Sequence, residues 1–205
     1  VLRARGNLIQ SAGTVQATNV GLAASNIGAS GDSFDTNATN LAIDSNNSSY
    51  VQNVGGVNVI DTVTSTAAND SVTGNAAGGS YRLEAGGNIN VNDRVGGDNI
   101  SLIANGGNLT LNDSVGGGGT SRIVLSATGD LIQSTGVVQA TNLGLDATNI
   151  GTSANSFDTN VANLTIDSEG NAYVEDLNDV TLVGSVTSTA ANDTVTGNDA
   201  IGDYR

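Results

Sequence analysis

Histidine, cysteine, lysine, methionine, tryptophan and proline are all missing from this chain of 205 residues, and aromatic residues make up only 3% of it. Without His or Cys there is no imidazole for acid/base work, no thiolate nucleophile and no ordinary zinc site. No disulfide framework exists either. The lack of proline has a different meaning, because every backbone position keeps an N–H that can donate to a sheet ladder. The six basic residues are all arginine, at Arg3, Arg5, Arg82, Arg94, Arg122 and Arg205. Against 20 acidic residues they leave a net charge of −14, which makes nucleic acid and anionic membranes poor partners. No transmembrane span, leader or lipidation motif is visible. A core without Trp or Met must be narrow and built from Val, Leu, Ile and Ala.

What is present is repetition. Residues 1–82 return as residues 124–205 without a gap, and roughly three positions in five are identical. Leu8-Ile9-Gln10-Ser11 recurs as Leu131-Ile132-Gln133-Ser134, and Ser65 to Asp70 recurs as Ser188 to Asp193. The module is therefore about 123 residues long, with one copy over 1–123 and an incomplete second over 124–205. Because the sequence starts at the equivalent of Val124 and stops at the equivalent of Arg82, it reads as a window on a longer array.

A shorter period lies inside the module. Gly86-Gly87-Asn88 is followed 20 residues later by Gly106-Gly107-Asn108, and Asn92-Asp93 by Asn112-Asp113. Leu83-Glu84-Ala85, Leu102-Ile103-Ala104 and Leu125-Ser126-Ala127 align at similar spacing, which gives about six units per module. Asn108-Leu109-Thr110-Leu111, Val180-Thr181-Leu182 and Val195-Thr196-Gly197 alternate polar and apolar residues, as strands with one inward face do. Clusters of Gly, Asn, Asp and Ser between them supply turns. No segment keeps a 3.6-residue period. The pattern predicts an all-β parallel β-helix, a β-solenoid of about ten coils of about 20 residues with a rise of about 4.8 Å each. Low hydrophobicity and the 28 glycines also fit a disordered chain, but regular apolar alternation argues for the solenoid.

The pattern Leu-x-Ala-x-Gly-x-Leu/Ile, in Leu83-Glu84-Ala85-Gly86-Gly87-Asn88-Ile89 and Leu125-Ser126-Ala127-Thr128-Gly129-Asp130-Leu131, resembles the coils of filamentous haemagglutinin-type exoproteins and related giant bacterial adhesins. That resemblance implies a right-handed parallel β-helix on the bacterial surface, engaged in attachment, aggregation and biofilm formation. It implies a fold more directly than an activity.

Chemistry can reside only in carboxylates and amides. Asp35 with Asp44, and Asp158 with Asp167, are the pairs that a polysaccharide-cleaving β-helix would use, although turn and cap roles suit them equally. Calcium, the one cofactor to consider, would be sought at Asp70, Asp193 and Asp199, where Asn-Asp and Gly turns gather oxygen ligands. Gly96-Gly97-Asp98 matches only part of a nonapeptide calcium roll. The alternative for these residues is turn formation and asparagine laddering. Thr62-Val63-Thr64-Ser65-Thr66 would suit an ice-binding face only if coil length were constant. Asn37, Asn47, Asn108 and Asn163 stand in Asn-x-Ser/Thr triplets. Phe34, Phe157, Tyr50, Tyr81, Tyr173 and Tyr204 recur at equivalent places and fill or cover coil corners; stacking on a saccharide is their other use.

These observations lead to three expectations. The first is a non-enzymatic stalk or filament segment outside a bacterial cell, whose partners are neighbouring repeats and cell-surface glycans or receptors. A polysaccharide-binding or polysaccharide-cleaving β-helix is the second. The third is a subunit that stacks end to end into a fibre.

Overall fold

A computed structural model describes every residue except Ala68, Ile201, Tyr204 and Arg205, so Tyr204, the counterpart of Tyr81, lies outside the described residues. Among the described residues there is no helix, and the shaft is one parallel sheet wound into a solenoid of about nine turns of about 21 residues. A typical turn has three strands, as in Asn75–Ala77, Ser80–Ala85 and Ile89–Val91. Each strand pairs with its counterpart one coil earlier and one coil later. One column of rungs runs Leu8, Ile27, Ser49, Tyr81, Ile100, Ile123, Leu143, Leu164 and Leu182.

The alternation explains this winding. Tyr81, Leu83 and Ala85 point inward with no exposure, while Arg82 and Glu84 between them face outward. Leu83, Leu102 and Leu125, aligned by sequence alone, stack directly in one ladder. Phe34 and Phe157 are buried in the same interior column set, opposite Val51 and Val174. A fully buried Leu or Val contributes about 1.5 to 3 kcal/mol, so stability accrues rung by rung along the shaft.

Asparagine stitches the turns. Asn40 donates to Asn19, Asn58 to Asn40 and Asn90 to Asn58 at 2.8, 3.0 and 2.9 Å. At another corner Asn88 accepts from the amide of Asn108, and Asn108 from the amide of Asp130, each at 2.9 Å. The first set joins side-chain amides along paired strands, and the second satisfies backbone amides at a corner between strands.

Two segments leave the shaft. Thr62–Ser65 with Asp70–Thr73, and Ser185–Ser188 with Asp193–Thr196, form antiparallel hairpins instead of coil strands. Asn69 and Asn192 take positive φ, 47° and 61°, at their turns, a conformation that asparagine tolerates. The Thr62 to Thr66 run therefore belongs to a hairpin and not to a flat threonine face. Val195 and Thr196 likewise sit in a hairpin. Sequence spacing counts these residues as coils, which is why it arrives at about ten coils where the structure has about nine.

The hairpins also change the relation between the two modules. From Leu22 the column of rungs passes through Ile43, Asn75, Val95 and Val115 to Val138, five turns in all. Leu145, the equivalent of Leu22, lies beyond Val138 on the next face, in the ladder of Leu83, Leu102 and Leu125. One module thus advances about five and a third to five and two-thirds turns, depending on the residue followed, and the second hairpin emerges from a different face of the shaft than the first.

Candidate functional site

With no His or Cys to inspect, the outward ladders hold the candidate chemistry. A cluster of opposite charges lies under the second hairpin. Arg82, outward on Ser80–Ala85, donates from Nε to Asp193 Oδ2 at 3.0 Å and from an η nitrogen to Oδ1 at 3.3 Å. Its other η nitrogen reaches Glu84 at 2.7 Å, and Ser101 Oγ donates to Asp193 Oδ2. This side-on fork is the strong geometry for an arginine–carboxylate pair. Burial pulls the guanidinium toward neutrality, but hydrogen bonds and charge from Asp193 and Glu84 outweigh it and hold its pKa above the usual arginine value.

Both hairpins are seated in the same way. Val63 and Val72 pack on Ala23 and Ala42, with Val1 and Ile60 at the margin; Val186 and Val195 pack on Val124 beside Val183. Gly21 and Gly144 lie beneath them. A Cβ at Gly21 would come within 3.1 Å of Val72 Cβ, and one at Gly144 within 2.9 Å of Val195 Cβ. Only glycine lets the hairpin lie this close. The first hairpin carries Asp70 at the place of Asp193, where its partner is Arg3 at 3.4 Å.

The calcium candidates are thus divided. Asp70 faces Arg3, and the carboxylate oxygens of Asp193 are committed to Arg82 and Ser101. Asp199 pairs in register with Asp167, which pairs with Asp146, so three carboxylates stack on successive coils. Burial, followed by the charges of Asp146 and Asp199, raises the Asp167 pKa above its ordinary value. Among the described residues no group of three or more carboxylates has the arrangement needed to hold a metal ion. Asp98, in the Gly-Gly-Asp segment, accepts from Asn99 at 3.0 Å and from Ser121.

The paired carboxylates are not brought together. Asp35 lies in register with Gln52, whereas Asp44, nine residues along the same strand, lies in register with Ala23 and Ala76. Asp158 pairs with Glu175 and Asp167 with Asp146. The backbone amides of Asp35 and Asp158 each donate to a glutamine, Gln10 and Gln133, at 2.5 Å. The same glutamines donate to Gly13 and Gly136, so they brace the chain across a coil step. Sequence inspection gave no role to Gln10, Gln133, Arg82 or Ser101, although the Tyr-Arg dipeptide at 81–82 recurs at 204–205.

Of the aromatics, Tyr81 is wholly buried, and burial with Asp93 nearby pushes its phenol far above the ordinary range. Tyr173 donates to Asp203 at 3.1 Å. Tyr50 borders an open groove of about 440 Å³ with Ile9, Asn26 and Asp32, while Gln139, Asn160, Asn178 and Asp179 border another of about 310 Å³. Asn37 and Asn47 are exposed; Asn163 donates to Asn142. No described helix is long and apolar enough to cross a membrane. Comparison with protein-family models, with curated proteins and with solved structures finds no match.

Proposed function

We propose that this chain is a structural segment of a long extracellular shaft, a stalk or filament of the kind that bacterial adhesins use in attachment, cell-to-cell contact and biofilm matrix. The observation that carries this reading is the module junction. Residues 123 and 124 fall inside one strand, Arg122–Ala127, which pairs with Asn99–Ala104 of the first copy and with Val138–Ala147 of the second. Repeats joined this way add length to one rod and form no separate beads. The resemblance to filamentous haemagglutinin-type coils supports the location and the adhesive role. The outward acidity supports a shaft that stays soluble and apart from its neighbours.

Chains with one, two and three added modules test the mechanical part. Small-angle scattering should show about 26 Å of extra length per module, from about five and a half turns of about 4.8 Å, at unchanged cross-section. Growth in cross-section, or no growth in length, overturns it. Antibodies raised against the chain should decorate the exterior of intact source cells; signal only after lysis overturns the extracellular reading.

A further inference from the structure

We infer that the second hairpin is a lock across the module junction, and that Arg82 and Ser101 of the first module form its receiving site for Asp193. The register supports this directly. Arg82, Ser101, Val124 and Gly144 are consecutive rungs of one outward ladder. Two of those rungs belong to the first module and two to the second. The hairpin rests its valines on Val124 and Gly144 and places Asp193 on Ser101 and Arg82. A segment that leaves the shaft after Leu182 therefore reaches back across the junction over four coils.

Both hairpins carry the same turn sequence, the same two valines and the same glycine seat, with Val1 and Gly21 in the first answering to Val124 and Gly144 in the second. Arg82 and Asp193 are only 13% and 15% exposed where they meet. Solvent therefore screens little of this pair. The lock is a property of this chain whether or not the shaft is an adhesin.

Native-state hydrogen exchange tests it on the full chain. In Asp193→Asn the Val186 and Val195 amides should exchange at least ~10-fold faster, while the Val63 and Val72 amides keep their wild-type rate. Arg82→Gln should match Asp193→Asn, and the double variant should be no faster than either alone, because one interaction has been removed twice. Arg82→Lys, which keeps the charge but loses the fork, should fall between wild type and Arg82→Gln. Leu102 and Leu125 amides should stay protected throughout, showing that the shaft is folded. The lock is overturned if Asp193→Asn leaves hairpin exchange at the wild-type rate, or if the double variant shows the product of the single effects.

Discussion

The first copy of the module carries five acidic and three basic residues over 1–82; the second, over 124–205, carries eleven and one. Their net charges are therefore −2 and −10, although both wind into the same coils. The difference lies almost wholly on the outside. Inward rungs such as Leu22, Ile27, Phe34, Leu41 and Ile43 are identical to Leu145, Ile150, Phe157, Leu164 and Ile166. Outward, Ala23, Asp44 and Ala76 become the stacked Asp146, Asp167 and Asp199. An inward position is bound by its neighbours above and below, because a change of volume there is felt by three coils. An outward one that no hairpin covers answers to solvent and to like charge on the next rung.

The largest effects should therefore be the same in both copies. Leu22→Ala and Leu145→Ala each empty a fully buried rung and should each cost about 3 kcal/mol in denaturant unfolding. A difference between them larger than about 1.5 kcal/mol would mean that outward charge, and not the inward ladder, decides stability. The hairpin seats come next. Gly144→Ala and Gly21→Ala push a methyl into valine and should cost about 1 to 3 kcal/mol. The cost should be larger at Gly144, where the approach is closer. It should appear as faster exchange of the hairpin amides while the shaft keeps its β signal.

The extent to which this architecture was legible in the sequence depends on which periods survive averaging. Leu83, Leu102 and Leu125 stand at similar spacing, so their common ladder could be read directly, as could the step from Asn88 to Asn108, whereas the ladder of Asn19, Asn40, Asn58 and Asn90, with its uneven spacing, could not. The hairpins could not. Thr62-Val63-Thr64-Ser65 alternates as a coil strand does, and a period of two reveals which face is buried but not which partner the strand takes. Asn69 and Asn192 were the available signal, since Asn-Asp at a tight turn also suits a hairpin. The fraction of a turn by which one module is rotated against the next was hidden for a related reason. Coil lengths wander by several residues, so spacing alone cannot show on which face an equivalent residue lands. Arg82 and Asp193 are 111 residues apart, and no local pattern joins them.

A smaller effect separates the copies at one corner. Asn53 accepts from Thr36 and from the Ala38 amide, and its Nδ2 also donates to the carbonyls of Ala38, Gly55 and Gly56. Asp176 stands at the equivalent place, accepting from Thr159 at 2.7 Å and from the Val161 amide at 3.0 Å, but a carboxylate has nothing to donate. Asp176→Asn should therefore stabilise the second copy by about 1 kcal/mol, and Asn53→Asp should destabilise the first by at least as much, since three carbonyls lose a donor. Equal and negligible changes in thermal midpoint at both positions would show that the acceptor half of the corner is all that matters.

The smallest effect concerns the stacked carboxylates, and its sign sets it apart from the usual acid lability of a folded chain. Burial, with Asp146 and Asp199 in adjacent rungs, raises the Asp167 pKa in the folded state above its unfolded value. The folded chain therefore holds this proton more tightly, and ionised Asp167 opposes folding at neutral pH. That penalty is present above the folded pKa and is relieved as the pH falls through it toward the ordinary aspartate range. Asp167→Asn should accordingly raise the thermal midpoint at pH 7, and the gain should shrink on acidification and vanish below the unfolded pKa. Because the group is largely solvated, the gain should be modest and should decline with added salt. The counterpart Asp44 has Ala23 and Ala76 as its ladder neighbours, so Asp44→Asn should leave the midpoint unchanged at every pH. A stabilisation by Asp44→Asn equal to that by Asp167→Asn would assign the effect to net charge and not to stacking.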